Sequence, residues 1–210
     1  SFNSSYLGPE FTDNNISEIL DNQNISFEKL DERNKTLAKL LSEKNVIAIF
    51  EGRSEFGERA LGNRSILADP QDQNMKDKIN SIIKYRESYR PFAPSVKFED
   101  AHKYFEVPMG YECFFMEKVM PVKTSYREKL PAITHVDGSA RLHTVKKEHN
   151  PLFYDLLNEF EKISSYPILL NTSFNLNGEP IVNTPQDALN TFSNSNLDYL
   201  LLQKFLISKK

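Results

Sequence analysis

Two hydrophobic periods alternate along this chain, and together they predict its elements. Phe27, Leu30, Leu37, Leu40 and Leu41 recur at helical spacing, with Ser26 placed to cap the helix. Glu28, Asp31 and Glu32 lie early in that segment and Lys39 and Lys44 late, the polarity that suits a helix dipole. Residues 46–50 form a short apolar run with β-branched side chains, which predicts a buried strand. Met75, Ile79, Ile82 and Ile83 mark a second helix after the Asp69-Pro70 break. Pro91 and Pro94 then impose an extended segment that continues toward Phe98. Residues 113–119, 132–136 and 141–145 read as strands, the last two joined by Asp137-Gly138, a hairpin-type turn signal. Asn150 as N-cap and Pro151 at the first helical position start a helix whose apolar face carries Phe153, Leu156, Leu157, Phe160 and Ile163. Residues 167–170 predict a strand that runs into Asn171-Thr-Ser-Phe-Asn175. Thr184, Pro185 and Asp187 open a last helix, and residues 200–207 a final strand.

Strands and helices alternate without a repeat, the pattern of one α/β domain with a mixed sheet and loops gathered at strand ends. Residues 1–23 are polar, with clusters of Asn, Ser and Asp and no periodicity. We read residues 1–25 as a linker from a preceding domain that is absent here, and residues 26–210 as the folded unit.

Composition narrows the function classes. The chain has 210 residues, 39% of them hydrophobic, enough for one substantial core. A net charge of -3 argues against a nucleic-acid partner, which normally requires a basic surplus. The single cysteine, Cys113, excludes an internal disulfide and fits a reducing compartment. No apolar run approaches a membrane span, and the first ten residues lack the regions of a signal peptide. The expectation is a cytoplasmic protein with neither nucleic acid nor membrane as partner.

Five of the eight arginines fall between Arg53 and Arg90, whereas the eighteen lysines are mostly scattered. A guanidinium fork suits the oxygens of phosphate or carboxylate better than a point-charge ammonium does. Gly52, Gly57 and Gly62 sit among those forks, where a backbone can approach a ligand closely. The stretch therefore reads as an anion site, or alternatively as ion pairs with Glu51, Glu55, Glu58 and Glu87. Lys84, Arg86 and Arg90 form a second group, and Asn171-Thr-Ser-Phe-Asn175 a third, where Ser173 and backbone donors suit a phosphate or adenylate oxygen. Arg141 opens a strand and is either aimed at the same crevice or a strand-end arginine in solvent, while turn chemistry is the alternative for the asparagines. His102, His135, His143 and His149 show no zinc-ligand spacing, so no metal site is expected. His135 and Asp137 are expected as a structural pair on one strand face. Neither a Walker loop nor a Gly-x-Gly-x-x-Gly run is present, so any nucleotide would be held by arginines and loop amides.

Together these motifs resemble the C-terminal domain of the carbamoyltransferases that modify nodulation factors and antibiotics. The matching stretches are Gly52-Arg-Ser-Glu-Phe-Gly-Glu-Arg-Ala-Leu-Gly-Asn-Arg-Ser65, Arg86 with Arg90-Pro-Phe-Ala-Pro94, His135-Val-Asp-Gly-Ser-Ala-Arg141, Asn171-Thr-Ser-Phe-Asn175 and Gly178-Glu-Pro-Ile-Val182. The resemblance implies a YrdC-like α/β fold, a mixed twisted sheet with helices packed on it. It implies carbamoyl phosphate and ATP as substrates, with Mg2+ sharing the charge, and an N-terminal actin-like transferase domain as partner. In that scheme carbamoyl phosphate loses phosphate, the carbamate attacks the α-phosphorus of ATP, and pyrophosphate leaves. The other domain then passes the carbamoyl group to a hydroxyl. By motif match, Arg59, Lys84, Arg90 and Arg141 would carry catalysis. Arg53, Gly62, Asn63, Arg64, Ser65, Arg86, His135, Asn171, Ser173 and Asn175 would line the substrate and nucleotide pocket. Two positions depart from the family pattern: Glu58 stands where proline is usual, and His143 where glutamine is usual. The rival reading is a YrdC-like module that binds nucleotide or RNA without chemistry.

Overall fold

A computed structural model describes residues 5–84 and 92–209, with Lys84 described in its backbone only. The described residues contain nine strands in one sheet. In chain order they are β1 (Glu28–Lys29), β2 (Ile47–Phe50), β3 (Arg64–Ala68), β4 (Ala93–Lys97), β5 (Lys118–Pro121), β6 (Ser139–Val145), β7 (Ile168–Ser173), β8 (Tyr199–Leu202) and β9 (Phe205–Ser208). Their spatial order is β1-β9-β8-β2-β3-β7-β4-β6-β5. Only the β2–β8 and β4–β6 pairs are parallel.

The strands alternate their side chains between two apolar layers. Ala48 and Phe50 of β2 face one layer, and Ile47 and Ile49 the other. The first layer is covered by helices α1 (Asp13–Asn22), α3 (Met75–Ile79), α4 (Ala101–Tyr104) and α7 (Pro185–Ser193). The second is covered by α2 (Arg33–Ser42) and α6 (Pro151–Ser164). A short helix, α5 (Thr124–Arg127), buries no residue of its own. Helices on both faces of a mixed sheet are the YrdC-like α/β architecture that the sequence predicts.

Local chemistry explains the helix ends. In α6, Asn150 caps by accepting from the Phe153 amide at 3.0 Å, and Pro151 opens the first turn. In α7, Thr184 and Asp187 form a reciprocal capping box. Ile163 of α6 is 52% exposed, so the apolar face ends at Phe160.

Tertiary pairing shifts other boundaries. The helix expected from Phe27 begins only at Arg33, and Ser26 caps nothing there. Residues 28 and 29 instead pair with β9, and the Phe27 ring packs edge-on against Phe205. The segment read as aperiodic contains α1, capped by Thr12, with Ile16 and Leu20 fully buried. Residues 113–119 are not one strand. Cys113 exchanges hydrogen bonds with Thr144, Met116 turns with φ +56°, and pairing resumes at Lys118. Residues 132–136 form no strand either: Ala132 and Ile133 are buried within a turn, where the Ile133 amide bonds back to the Leu130 carbonyl. The Asp137-Gly138 turn therefore leads into β6 rather than closing a hairpin, and the predicted final strand is the β8–β9 hairpin. A π-type turn over Asn80–Lys84 follows α3.

Gly62 is a backbone position with little latitude. It has φ +123°, and an added Cβ would lie 2.6 Å from the Phe153 ring. We expect Gly62→Ala to lower stability by about 2–4 kcal/mol through strain and overpacking, read from denaturant unfolding. A loss below about 0.5 kcal/mol would mean the α6 contact yields freely.

Candidate functional site

The sheet register sets the floor of the site. Asn171 of β7 lies opposite Ala93 of β4, and Ser173 opposite Ser65 of β3. His143 of β6 lies opposite Ser95 of β4. Since alternate residues share a face, Ala93, Ser95, Arg141, His143, Asn171 and Ser173 all stand on the α6 side of the sheet.

Residues 51–63 cross above the ends of these strands. The segment is shaped by one buried carboxylate: Glu55 Oε1 accepts from the amides of Leu61 at 2.7 Å, Asn63 at 2.8 Å and Arg64 at 3.4 Å. Burial pushes the Glu55 pKa up, while those backbone donors oppose the shift. Tyr6 donates to the Leu61 carbonyl at 2.9 Å, and Asn171 Nδ2 to that of Ala60 at 3.2 Å. Asn63 donates to the Arg53 carbonyl and accepts from Asn150. Gly62 donates its amide to Ser65 Oγ at 2.9 Å.

Between this loop and the sheet lies a crevice of about 420 Å³. Of the predicted site residues it brings together Arg59, His135, Arg141, Asn171 and Ser173. Phe92 and Ala93, which follow the Lys84–Arg90 segment in sequence, line the same wall. Arg59 is exposed and, among the described residues, carries neither an ion pair nor a hydrogen bond. Burial lowers the His135 pKa, and Arg141 and Lys76 add to the shift against Asp137, which favours a neutral ring. His135 sits in a turn, its ring 3.3 Å from Ser139 Oγ, while Asp137 accepts from that same serine. Ser173 Oγ donates to Asn175 Oδ1 at 2.6 Å.

Other predicted residues are placed elsewhere. Arg64 is 1% exposed, stacks 3.7 Å over the Phe50 ring centroid and donates to the Glu51 and Asn63 carbonyls. Burial lowers its pKa to about 10 against the pull of Glu55 and Glu51. Arg53 reaches the Leu7 carbonyl at 3.1 Å. Gly62, Asn63 and Ser65 hold the loop, and Asn175 braces the turn after β7 through the Leu176 and Glu179 carbonyls. The Lys84 side chain, Arg86 and Arg90 lie outside the described residues.

The acidic residues divide by role. Glu51 pairs with Arg33, a helix residue rather than a loop arginine. Glu55 binds backbone. Glu58 lines the crevice beside Arg59, and among the described residues no ion pair joins them. Sequence reasoning missed Glu55, Tyr6, Ser95 and Met116. The residue type at 55 suggested only an ion pair, and nothing local marks an acceptor for three amides. His143, noted as a departure, is 3% exposed, and burial pushes its pKa down to about 3.

Over residues 38–209 the chain matches the family model described as Carbamoyltransferase C-terminus. It is 46% identical over 209 residues to nodulation protein NolO of Bradyrhizobium diazoefficiens, covering 98% of this chain and 38% of that protein. It is 42% identical over 151 residues to 3'-hydroxymethylcephem-O-carbamoyltransferase of Amycolatopsis lactamdurans, covering 72% of this chain and 28% of that protein. The chain thus spans well under half the length of these relatives. A solved structure of full-length HypF in the phosphate- and nucleotide-bound form aligns with TM-score 0.60 at 23% identity, covering 84% of this chain and 22% of that one, which establishes likeness of fold. No helix among the described residues is long and apolar enough to cross a membrane.

Two measurements test the site's architecture. Glu55→Ala should accelerate hydrogen exchange at the Leu61, Asn63 and Arg64 amides by at least about tenfold, since each loses its acceptor. Unchanged protection would show that the loop is held by other contacts. A histidine depressed from 6.5 to about 3 contributes fully above pH 6.5 and costs stability as pH falls toward 3, where the unfolded chain takes the proton. Wild type should therefore lose stability relative to His143→Gln between pH 6.5 and 4. Parallel stability profiles would contradict that burial effect.

Proposed function

We propose that this chain, which belongs to the carbamoyltransferase C-terminus family, forms carbamoyl adenylate from carbamoyl phosphate and ATP. A preceding actin-like domain then transfers the carbamoyl group to a hydroxyl acceptor. The observation that supports this most is the meeting of Arg59 and Arg141, from a loop and a distant strand, in one crevice. Its volume of about 420 Å³ lies within the ordinary range for small-ligand sites.

The chemistry requires two polyanions side by side. Water adds to the carbonyl carbon of carbamoyl phosphate and displaces phosphate to leave carbamate, whose oxygen then attacks the α-phosphorus of ATP as the bond to pyrophosphate breaks. No side-chain nucleophile takes part. Fixed guanidinium groups offset the repulsion between reactants and stabilise charge on the phosphoryl oxygens as the transition state forms. In this reading Arg59 and Arg141 supply that charge, with Lys84 and Arg90 as further cations by motif. Ser173, His135 and Asn171 orient the ligands, and Arg86 and Asn175 complete the pocket wall. Arg53, Gly62, Asn63, Arg64 and Ser65 act through the loop that presents Arg59.

Mg2+ fits as an ion carried in on the nucleotide's phosphates, where it would neutralise charge. Glu58 is the one carboxylate in the crevice lining among the described residues, a donor set suited to an ion held mainly by phosphate.

Incubating the full chain with ATP, Mg2+ and carbamoyl phosphate should release both phosphate and pyrophosphate. Arg141→Ala should slow pyrophosphate release by about 10²–10³, the loss of one charge-stabilising donor. Phosphate without pyrophosphate would reduce the activity to hydrolysis of carbamoyl phosphate. Nucleotide binding with neither product would favour a binding module over an enzyme.

A further inference from the structure

Asn171 sits at the floor of the crevice with 1% exposure and an incomplete set of hydrogen bonds. Its Nδ2 donates to the Ala60 carbonyl at 3.2 Å and to Ser95 Oγ at 3.0 Å. A carbonyl only accepts, so turning the amide over would set two acceptors against each other. The amide therefore has one orientation, and its Oδ1 is a buried acceptor without a partner among the described residues. No other residue of the crevice lining carries such an atom among them.

The orientation is relayed from deeper in the sheet. Ser95 Oγ accepts from Asn171 and lies 2.7 Å from His143 Nδ1, to which its own proton is free to point. His143 is buried and kept neutral, and in the tautomer protonated on Nε2 its Nδ1 lone pair accepts that proton's bond. The donors thus all run one way, from Asn171 through Ser95 to His143. The chain leaves a single acceptor at the crevice end. Buried polar atoms are almost always paired, and a gap in a ligand crevice points to a donor on the ligand.

We propose that Ser95 and His143 are positioning residues that lock Asn171 with its amide oxygen offered to an N–H donor of the bound substrate. This selects a carbamoyl group over an acyl group of the same size. The inference rests on the reading of carbamoyl phosphate as substrate. The carbamoyl amino group supplies the donor that Oδ1 lacks, while Arg59 and Arg141 take the phosphate. Acetyl phosphate puts a methyl where carbamoyl phosphate has the amino group, and so leaves Oδ1 unpaired.

The test is calorimetric titration of the full chain with carbamoyl phosphate, acetyl phosphate and inorganic phosphate. Wild type should prefer carbamoyl over acetyl phosphate by about tenfold, the worth of one buried hydrogen bond. Ser95→Ala and His143→Leu should bring that ratio toward one while leaving affinity for inorganic phosphate unchanged, which shows the crevice intact. His143→Gln restores an acceptor for the Ser95 hydroxyl and should keep the preference. Equal wild-type affinity for the two acyl phosphates would overturn the proposal, as would a preference that survives in both Ser95→Ala and His143→Leu. If none of the three anions binds wild type, the proposed function itself fails, and this inference falls with it.

Discussion

The Glu55 carboxylate, set behind the loop and accepting three consecutive-region amides, is the constraint from which the crevice follows. Residues 51–63 leave β2 and return into β3, exposed around residues 56–59 and buried again from Ala60 onward. Their amides point inward, where water does not reach, and an unpaired buried amide is costly. One carboxyl oxygen resolves several of these at once. Tyr6 and Asn171 then bind carbonyls of the same segment, so the loop is fixed from both sides. Arg59 projects from a segment that is anchored at its base and open at its tip.

The second determinant is strand parity. β3 lies between β2 and β7, and its residues must satisfy both apolar layers. Arg64 shares a face with Ile66 and Ala68, the face that carries Phe50, so its guanidinium ends up over that ring. Arg141 and Asn171 fall on the opposite face, under the loop. An arginine one residue out of phase would exchange the two fates. Position along the strand therefore decides which guanidinium serves structure and which meets the crevice.

Charge in the site is arranged by the same economy. Arg33 pairs with Glu51 within the fold, and the buried Arg64 donates to backbone carbonyls, so neither is presented to an anion in the crevice. Arg59 stays exposed beside Glu58 without an ion pair among the described residues. The glutamate moderates the local potential while leaving the fork available. Polar groups deeper in the sheet, Asn171, Ser95 and His143, carry orientation rather than charge, since burial keeps the imidazole neutral.

Much of the architecture was legible without coordinates. The capping residues Asn150 and Thr184 fall where predicted because N-caps depend on a few neighbouring residues. Strands β2 and β7 follow from apolar runs that only a buried sheet accommodates. The α1 helix was overlooked although Ile16, Ile19 and Leu20 carry its spacing, because a polar background hid a three-residue stripe. Beyond that, local signals end. The delayed start of α2, the irregular path of residues 132–136, and the division of labour among the arginines all depend on partners far along the chain. Sequence alone determined most of the elements, the class of fold and the supply of anion-binding side chains. Tertiary structure decided which of those side chains share a cavity, because strand register and buried amide pairing are set by contacts that no local stretch encodes.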